Sequence, residues 1–179
     1  NKKINNNFLI NKASINSKDI KRNNIFFGIK GKNIDGNKFA DEALKKKASI
    51  CILEKNYSKK NPRKIFVKDT LNTFSNLSSI IRKSLGTPIV AITGSAGKTS
   101  LKELIGQSLN TLIPTSYSKK SFNNQYGVPL SLFNIDMKHK IGVFEIGMDK
   151  KGEIQKLSNL IRPDTVSYTH LRAHETARH

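Results

Sequence analysis

Residues 89–100 read IVAITGSAGKTS. Ile89 to Thr93 form an unbroken apolar run, the pattern of a strand buried on both faces of a parallel sheet. Gly94, Ser95, Ala96 and Gly97 follow as a glycine-rich turn. A helix is expected from Lys98 to about Leu109, with Leu101, Leu104, Ile105 and Leu109 as its core face. Strand, glycine turn and helix in that order predict a phosphate-binding loop. Glycine lets the backbone bend tightly and turn its N–H groups toward phosphate oxygens. The helix N-terminus adds a partial positive charge. Lys98 is expected to reach the terminal phosphates, and Thr99 to offer a hydroxyl to Mg2+. Ser100 completes the segment. The full pattern G-x4-G-K-[ST] is not met, because Ile92 stands where its first glycine would be; the shorter G-x-x-G-K-T is met. The plain alternative is a strand–helix turn that carries a lysine by chance.

The same alternation continues in both directions. Downstream, residues 141–146 (IGVFEI) read as another buried strand, and Ile154, Leu157, Leu160 and Ile161 mark a helix. Thr165 and Val166 begin a further strand. Upstream, residues 25–29, 50–53 and 65–67 read as strands. A helix is expected from about Gly36 to Lys47, with Phe39, Ala40, Ala43 and Leu44 on one face. A second helical stripe is Leu71, Phe74, Leu77, Ile80 and Ile81. Gly86-Thr87-Pro88 breaks that helix and marks a domain boundary. The fold class is therefore α/β: a small N-terminal α/β domain over 1–86, then the first part of a parallel-sheet nucleotide-binding domain over 87–166.

The chain has 179 residues and a formal net charge of +19. Such a charge points first to nucleic acid or an anionic membrane. Yet 26 of the 32 basic residues are lysine, spread along the chain, and asparagine and isoleucine are also abundant. All three have AT-rich codons, so composition explains much of the charge. No Arg-rich arm or RNA-binding aromatic motif supports a nucleic-acid partner. No apolar run approaches the ~20 residues that span a bilayer, and residues 1–20 lack the apolar stretch of a secretory signal. A lone cysteine, Cys51, sits in the apolar run SICIL and is expected to be a buried, inert thiol, which fits a reducing cytoplasm.

Residues 167–179, SYTHLRAHETARH, break the composition. They contain no Lys, Asn or Ile but hold three of the four histidines. We read this window as foreign to the coding sequence before it. His170 and His174 could share a helix face, but one such pair is not read as a metal site.

The segment TGSAGKTS (93–100) resembles the nucleotide loop of the Mur ligases, the ATP-dependent amide ligases of peptidoglycan assembly. Residues 121–130, SFNNQYGVPL, are similar to the N-N-x-x-G-V-P-L segment of the D-alanyl-D-alanine-adding branch. The stretch EIGM (145–148), then GEI (152–154) and RPD (162–164), resembles the same branch. Residues 15–18 (INSK), FFGIKG (26–31) and DG-x-x-F (35–39) resemble the family's uridine-nucleotide-binding domain, with Asn16-Ser17-Lys18 where the family has Asp-Ser-Arg.

The resemblance implies ATP and Mg2+ as cofactors. It implies UDP-N-acetylmuramoyl-tripeptide and D-Ala-D-Ala as substrates, no nucleic acid, no membrane insertion and a monomer when full length. Amide formation from a carboxylate is uphill, so the carboxylate must first become an acyl phosphate, which the free amine attacks; positioning and charge neutralisation do most of this work. Lys98 and Glu145 are the expected catalytic residues. Glu145, at the C-terminal end of a buried strand, joins Thr99 as a hard-oxygen metal ligand; its plain alternative is a strand-end carboxylate paired with a surface lysine. Gly94, Ser95, Ala96, Gly97, Lys98, Thr99 and Ser100 are expected to bind the nucleotide, with Asn123 and Asn124 against nucleotide or substrate or else forming an Asx turn before Gly127. Ser17 and Lys18 are expected near the uridine diphosphate, or else are plain loop polarity. The family's remaining metal-site residues and C-terminal domain are not in this sequence, so the chain is expected to be an inactive piece of an enzyme. Two alternatives stand beside this: a stand-alone non-catalytic nucleotide-binding module, and a sibling ligase such as a folyl-polyglutamate synthase.

Overall fold

A computed structural model describes residues 10–54, 61–118, 121–147 and 152–169. By contacts the chain divides into two compact units between Ile80 and Ile81, six residues before the boundary read at Gly86. Arg82 shows why. Its guanidinium donates to the carbonyls of Leu85, Thr87, Ile161 and Arg162 and to the Asp164 carboxylate, so the end of that helix is fastened into the second unit.

The first unit contains β1 (Lys12–Ser14), β2 (Asn24–Phe27), α1 (Ala40–Lys45), β3 (Ile50–Glu54) and β4 (Lys64–Val67); α2 (Thr70–Ser84) begins in it. The four strands are parallel and lie in sequence order. Phe26, Ala40, Ala43, Leu44, Cys51 and Leu53 pack into one apolar cluster, and Phe27 stacks on Phe74 with ring centroids 4.4 Å apart. The expected helix over 36–47 is shorter. A 3-10 turn, Gly36–Phe39, precedes α1 because the Asp35 carboxylate accepts from the backbone N–H of Asn37 and tightens the entry. Phe39 is consequently exposed, as is Ile80 of the second stripe, whereas Phe74 is wholly buried. β1 has no apolar periodicity, and its short polar sequence concealed it.

The second unit contains β5 (Ile89–Gly94), α3 (Lys98–Asn110), β6 (Thr115–Tyr117), α4 (Gly127–Phe133), β7 (Ile141–Glu145), α5 (Glu153–Ile161) and β8 (Thr165–Thr169). The sheet is parallel in the order β6-β7-β5-β8. The chain thus leaves β5 toward one edge and later returns to its other side. The C-terminal end of β5 is the crevice where open α/β sheets take ligands. Ile89, Ala91, Val128, Leu132, Phe144, Leu157 and Ile161 form the core beneath it.

Two expectations are corrected here. α3 does not bury Leu104, which is 64% exposed; its wholly buried positions are Lys102 and Gly106. Gly106 sets that rotation, because a Cβ there would stand 2.5 Å from the Tyr117 ring. β8 does not stop at Val166 but continues through Ser167, Tyr168 and Thr169, which pair with Ile92, Thr93 and Gly94. A ladder of main-chain hydrogen bonds accepts any strand-forming side chains, so the composition break leaves no mark on the register. His170 and His174 lie outside the described residues. α4 was concealed by Pro129, which sits in the first turn, where a missing N–H does no harm.

Cys51 is wholly buried, and burial pushes its thiol pKa up to about 12, against the lowering influence of Lys64 and Arg63. The folded thiol titrates above the unfolded one, so its contribution to stability is complete below pH ~8.5 and is lost as pH rises toward the folded value. Native chain at pH 8 should react with a thiol-specific reagent on the order of a thousandfold more slowly than urea-unfolded chain. Equal rates would show that Cys51 is open to solvent.

Candidate functional site

The site lies in the second unit, at the C-terminal ends of β5 and β7. Gly94 ends β5 at φ 135°, and Gly97 caps α3 in the left-handed region at φ 74°. A side chain at Gly97 would meet no atom within 4 Å, so the demand there is conformational and not steric. Between the two glycines, Ser95 is exposed and Ala96 half-buried. Lys98 folds back across the turn, and its Nζ donates to the Gly94 carbonyl at 2.9 Å. The ammonium is thus already over the loop. Thr99 is half-buried and Ser100 exposed.

Glu145 ends β7 with 1% of its surface exposed. Among the described residues no lysine pairs with it. One carboxylate oxygen accepts from Thr99 Oγ1 at 2.7 Å, and the other accepts from Asn123 Nδ2 at 2.8 Å. Ser121 Oγ stands 3.3 Å from Thr99 Oγ1. Helix, strand and loop therefore bring one carboxylate, two hydroxyls and one amide to a single corner beside the glycine turn. Hard oxygens of this kind suit Mg2+, which is usually held by one or two carboxylates with water and substrate phosphates completing the shell. Among the described residues no group of three His, Cys, Asp or Glu could hold a metal.

The two asparagines separate. Asn123 belongs to this corner, and its carbonyl also accepts from the Gly147 N–H at 2.8 Å. Asn124 is used locally: its Oδ1 accepts from the backbone N–H groups of Tyr126 and Gly127, the Asx turn that opens α4. Ser121 and Gly147 were read only as parts of longer segments, with no role. A Cβ at Gly147 would lie 2.7 Å from the Asn123 amide carbon, so only glycine leaves Asn123 room. No periodicity signals such a contact; only the meeting of two loops does.

Ser17 and Lys18 belong to the first unit. Ser17 is buried in a 3-10 turn capped by Asn16, and its hydroxyl donates to Glu42 Oε2 at 2.9 Å. That bond, then Lys46, holds the Glu42 carboxyl below its ordinary range. Lys18 is exposed.

A parallel sheet with a glycine turn between a central strand and a helix, and a hard-oxygen corner beside it, defines a P-loop-type nucleotide-binding domain. Residues 92–177 match the Mur ligase middle domain. Over that segment the chain is similar to the Mur ligases. It is 36% identical over 158 residues to a UDP-N-acetylmuramoyl-tripeptide–D-alanyl-D-alanine ligase of Buchnera aphidicola, covering 88% of this chain and 34% of that protein. It is 30% identical over 165 residues to the protein of the same name in Bacillus subtilis, covering 91% and 36%. A crystal structure of the MurF ligase from Thermotoga maritima in complex with ADP superposes with a TM-score of 0.77 at 28% identity, over 94% of this chain and 39% of that one. The chain thus spans about a third of the length of the curated relatives it matches.

Replacing Gly147 with alanine should push Asn123 off Glu145 while leaving the core intact. The expected result is a melting temperature near that of the parent and a roughly tenfold weaker Mg2+ requirement-curve midpoint for nucleotide binding. An unchanged midpoint would exclude Asn123 from any part in cation binding.

Proposed function

We propose that the second unit binds ATP with Mg2+, and that the protein of which this chain is a part joins D-Ala-D-Ala to UDP-N-acetylmuramoyl-tripeptide. The observation that carries this reading is the meeting of Thr99, Asn123 and Glu145 beside a glycine turn already overlain by the Lys98 ammonium. In use, Lys98 would exchange the Gly94 carbonyl for phosphate oxygens and hold negative charge on the group being transferred. Gly94, Gly97 and the backbone between them would line the phosphates, with Ser95, Ala96 and Ser100 alongside. Thr99 and Glu145 would hold Mg2+, which neutralises phosphate charge when bound. Phosphoryl transfer from ATP to the tripeptide carboxylate would release ADP and give an acyl phosphate; attack by the dipeptide amine would then form the amide and expel phosphate. ADP in the Thermotoga maritima relative supports the nucleotide assignment.

The first unit is proposed to receive the uridine diphosphate end of the substrate through the turn that bears Ser17 and Lys18. Ser17 can still accept a hydrogen bond while donating to Glu42, and Lys18 is free to meet a phosphate at the surface. The proposed location of this work is the cytoplasm; separately, among the described residues no helix is long and apolar enough to cross a membrane.

Binding of ADP with Mg2+ to the 179-residue chain, followed by calorimetry, tests the loop. Lys98→Ala should weaken it by at least about tenfold with the melting profile retained; equal affinity would overturn the role of Lys98. For the whole protein, UDP-N-acetylmuramoyl-tripeptide and D-Ala-D-Ala together should stimulate phosphate release from ATP. Stimulation by a folate substrate instead would assign it to the sibling ligases.

A further inference from the structure

Lys102 is the most unexpected side chain in the second unit. It is a lysine with 0% exposure, outside the apolar stripe read along α3. A buried ammonium is tolerated only when it is well partnered. Its Nζ donates to the Ser118 carbonyl and pairs with Glu103 Oε1 at 2.9 Å. Ser118 stands just after β6, at the start of the segment that later brings Ser121 and Asn123 to the site. Lys102 also lies one helical turn beyond Thr99, on the same face of α3.

We infer that Lys102 is a positioning residue for the metal corner: it clamps the start of the loop after β6 to the helix that carries Thr99, so that Ser121 and Asn123 meet Thr99 and Glu145 in one place. The inference rests on the nucleotide-site reading above and assigns a role that the phosphate loop itself does not require. Two details favour a clamp over mere filling. The lysine takes a main-chain carbonyl, so it holds the path of the chain and not one side chain. The Ser118 hydroxyl is buried yet has no hydrogen-bond partner among the described residues, so the serine side chain does not hold the loop itself. The loop has a second anchor beyond the clamp, the bond from Gly147 N–H to the Asn123 carbonyl. Lys102 fixes one end and Gly147 the other.

The test is binding of a fluorescent ADP analogue to the 179-residue chain as Mg2+ is titrated, and again in EDTA, with thermal melts of each variant. Lys102→Met should raise the Mg2+ midpoint about tenfold, as loss of an outer-shell support typically does, and leave metal-free ADP affinity within about twofold. Lys102→Gln, too short to reach the Ser118 carbonyl, should do the same. Ser118→Ala should change neither value. Lys98→Ala should weaken ADP with and without metal. A folded Lys102→Met or Lys102→Gln chain with the parent's Mg2+ midpoint overturns the inference. So does failure of both variants to fold, which would make the lysine a residue of stability alone. Unchanged ADP binding in Lys98→Ala would instead overturn the nucleotide-site reading, a result distinguishable from either.

Discussion

The buried carboxylate of Glu145 is the constraint around which the second unit is organised. Taking an ionised carboxylate out of water costs several kcal/mol unless hydrogen bonds replace the lost hydration. Thr99 and Asn123 supply those bonds from two other elements, a helix and a loop. Three segments distant in sequence must therefore arrive together, or the carboxylate is stranded. That mutual dependence aligns the first turn of α3, the end of β7 and the loop before α4.

The apolar layer beneath gives the corner its rigidity. β5 and β7 are neighbours in register, with Ile92 opposite Glu145, so the phosphate loop and the carboxylate leave adjacent strands at the same level. Ile89, Ala91, Phe144 and Leu132 are wholly or almost wholly buried, and a close-packed interior does not let those strands slide. On this base stands a loop that is charged and poised. Gly97 adopts a backbone conformation that other residues enter only with strain, and the Lys98 ammonium rests on the Gly94 carbonyl.

The members of the site differ in how far the sequence exposed them. The glycine turn was legible because its residues are contiguous: glycines, lysine and threonine follow one another, and the flanking strand and helix announce themselves by period. Glu145 was legible as a carboxylate at a strand end. Asn123 and Asn124 were not separable, since adjacent residues of one type carry no mark of which will cap a helix and which will reach across the sheet. Ser121, Gly147 and Lys102 had no signal of their own. Their roles arise from contacts between segments, and hydrophobic periodicity ranks a lysine as surface whatever lies over it.

The longer elements show the same division. By itself the sequence determined the α/β class, the strands read at 50–53, 89–93 and 141–146, the helical stripe from Leu71 to Ile81, the helix from Lys98 to about Leu109, and the family likeness, because long apolar periods and contiguous motifs are local properties. Only the tertiary structure decided which face of α3 turns inward, where the two units divide, that three-residue β1 and β6 join the sheets, and which loop residues meet Glu145. Those outcomes depend on close approach between parts of the chain far apart in sequence: a glycine against a tyrosine ring, a guanidinium gathering carbonyls, a carboxylate that must be satisfied. No window of neighbouring residues contains that information.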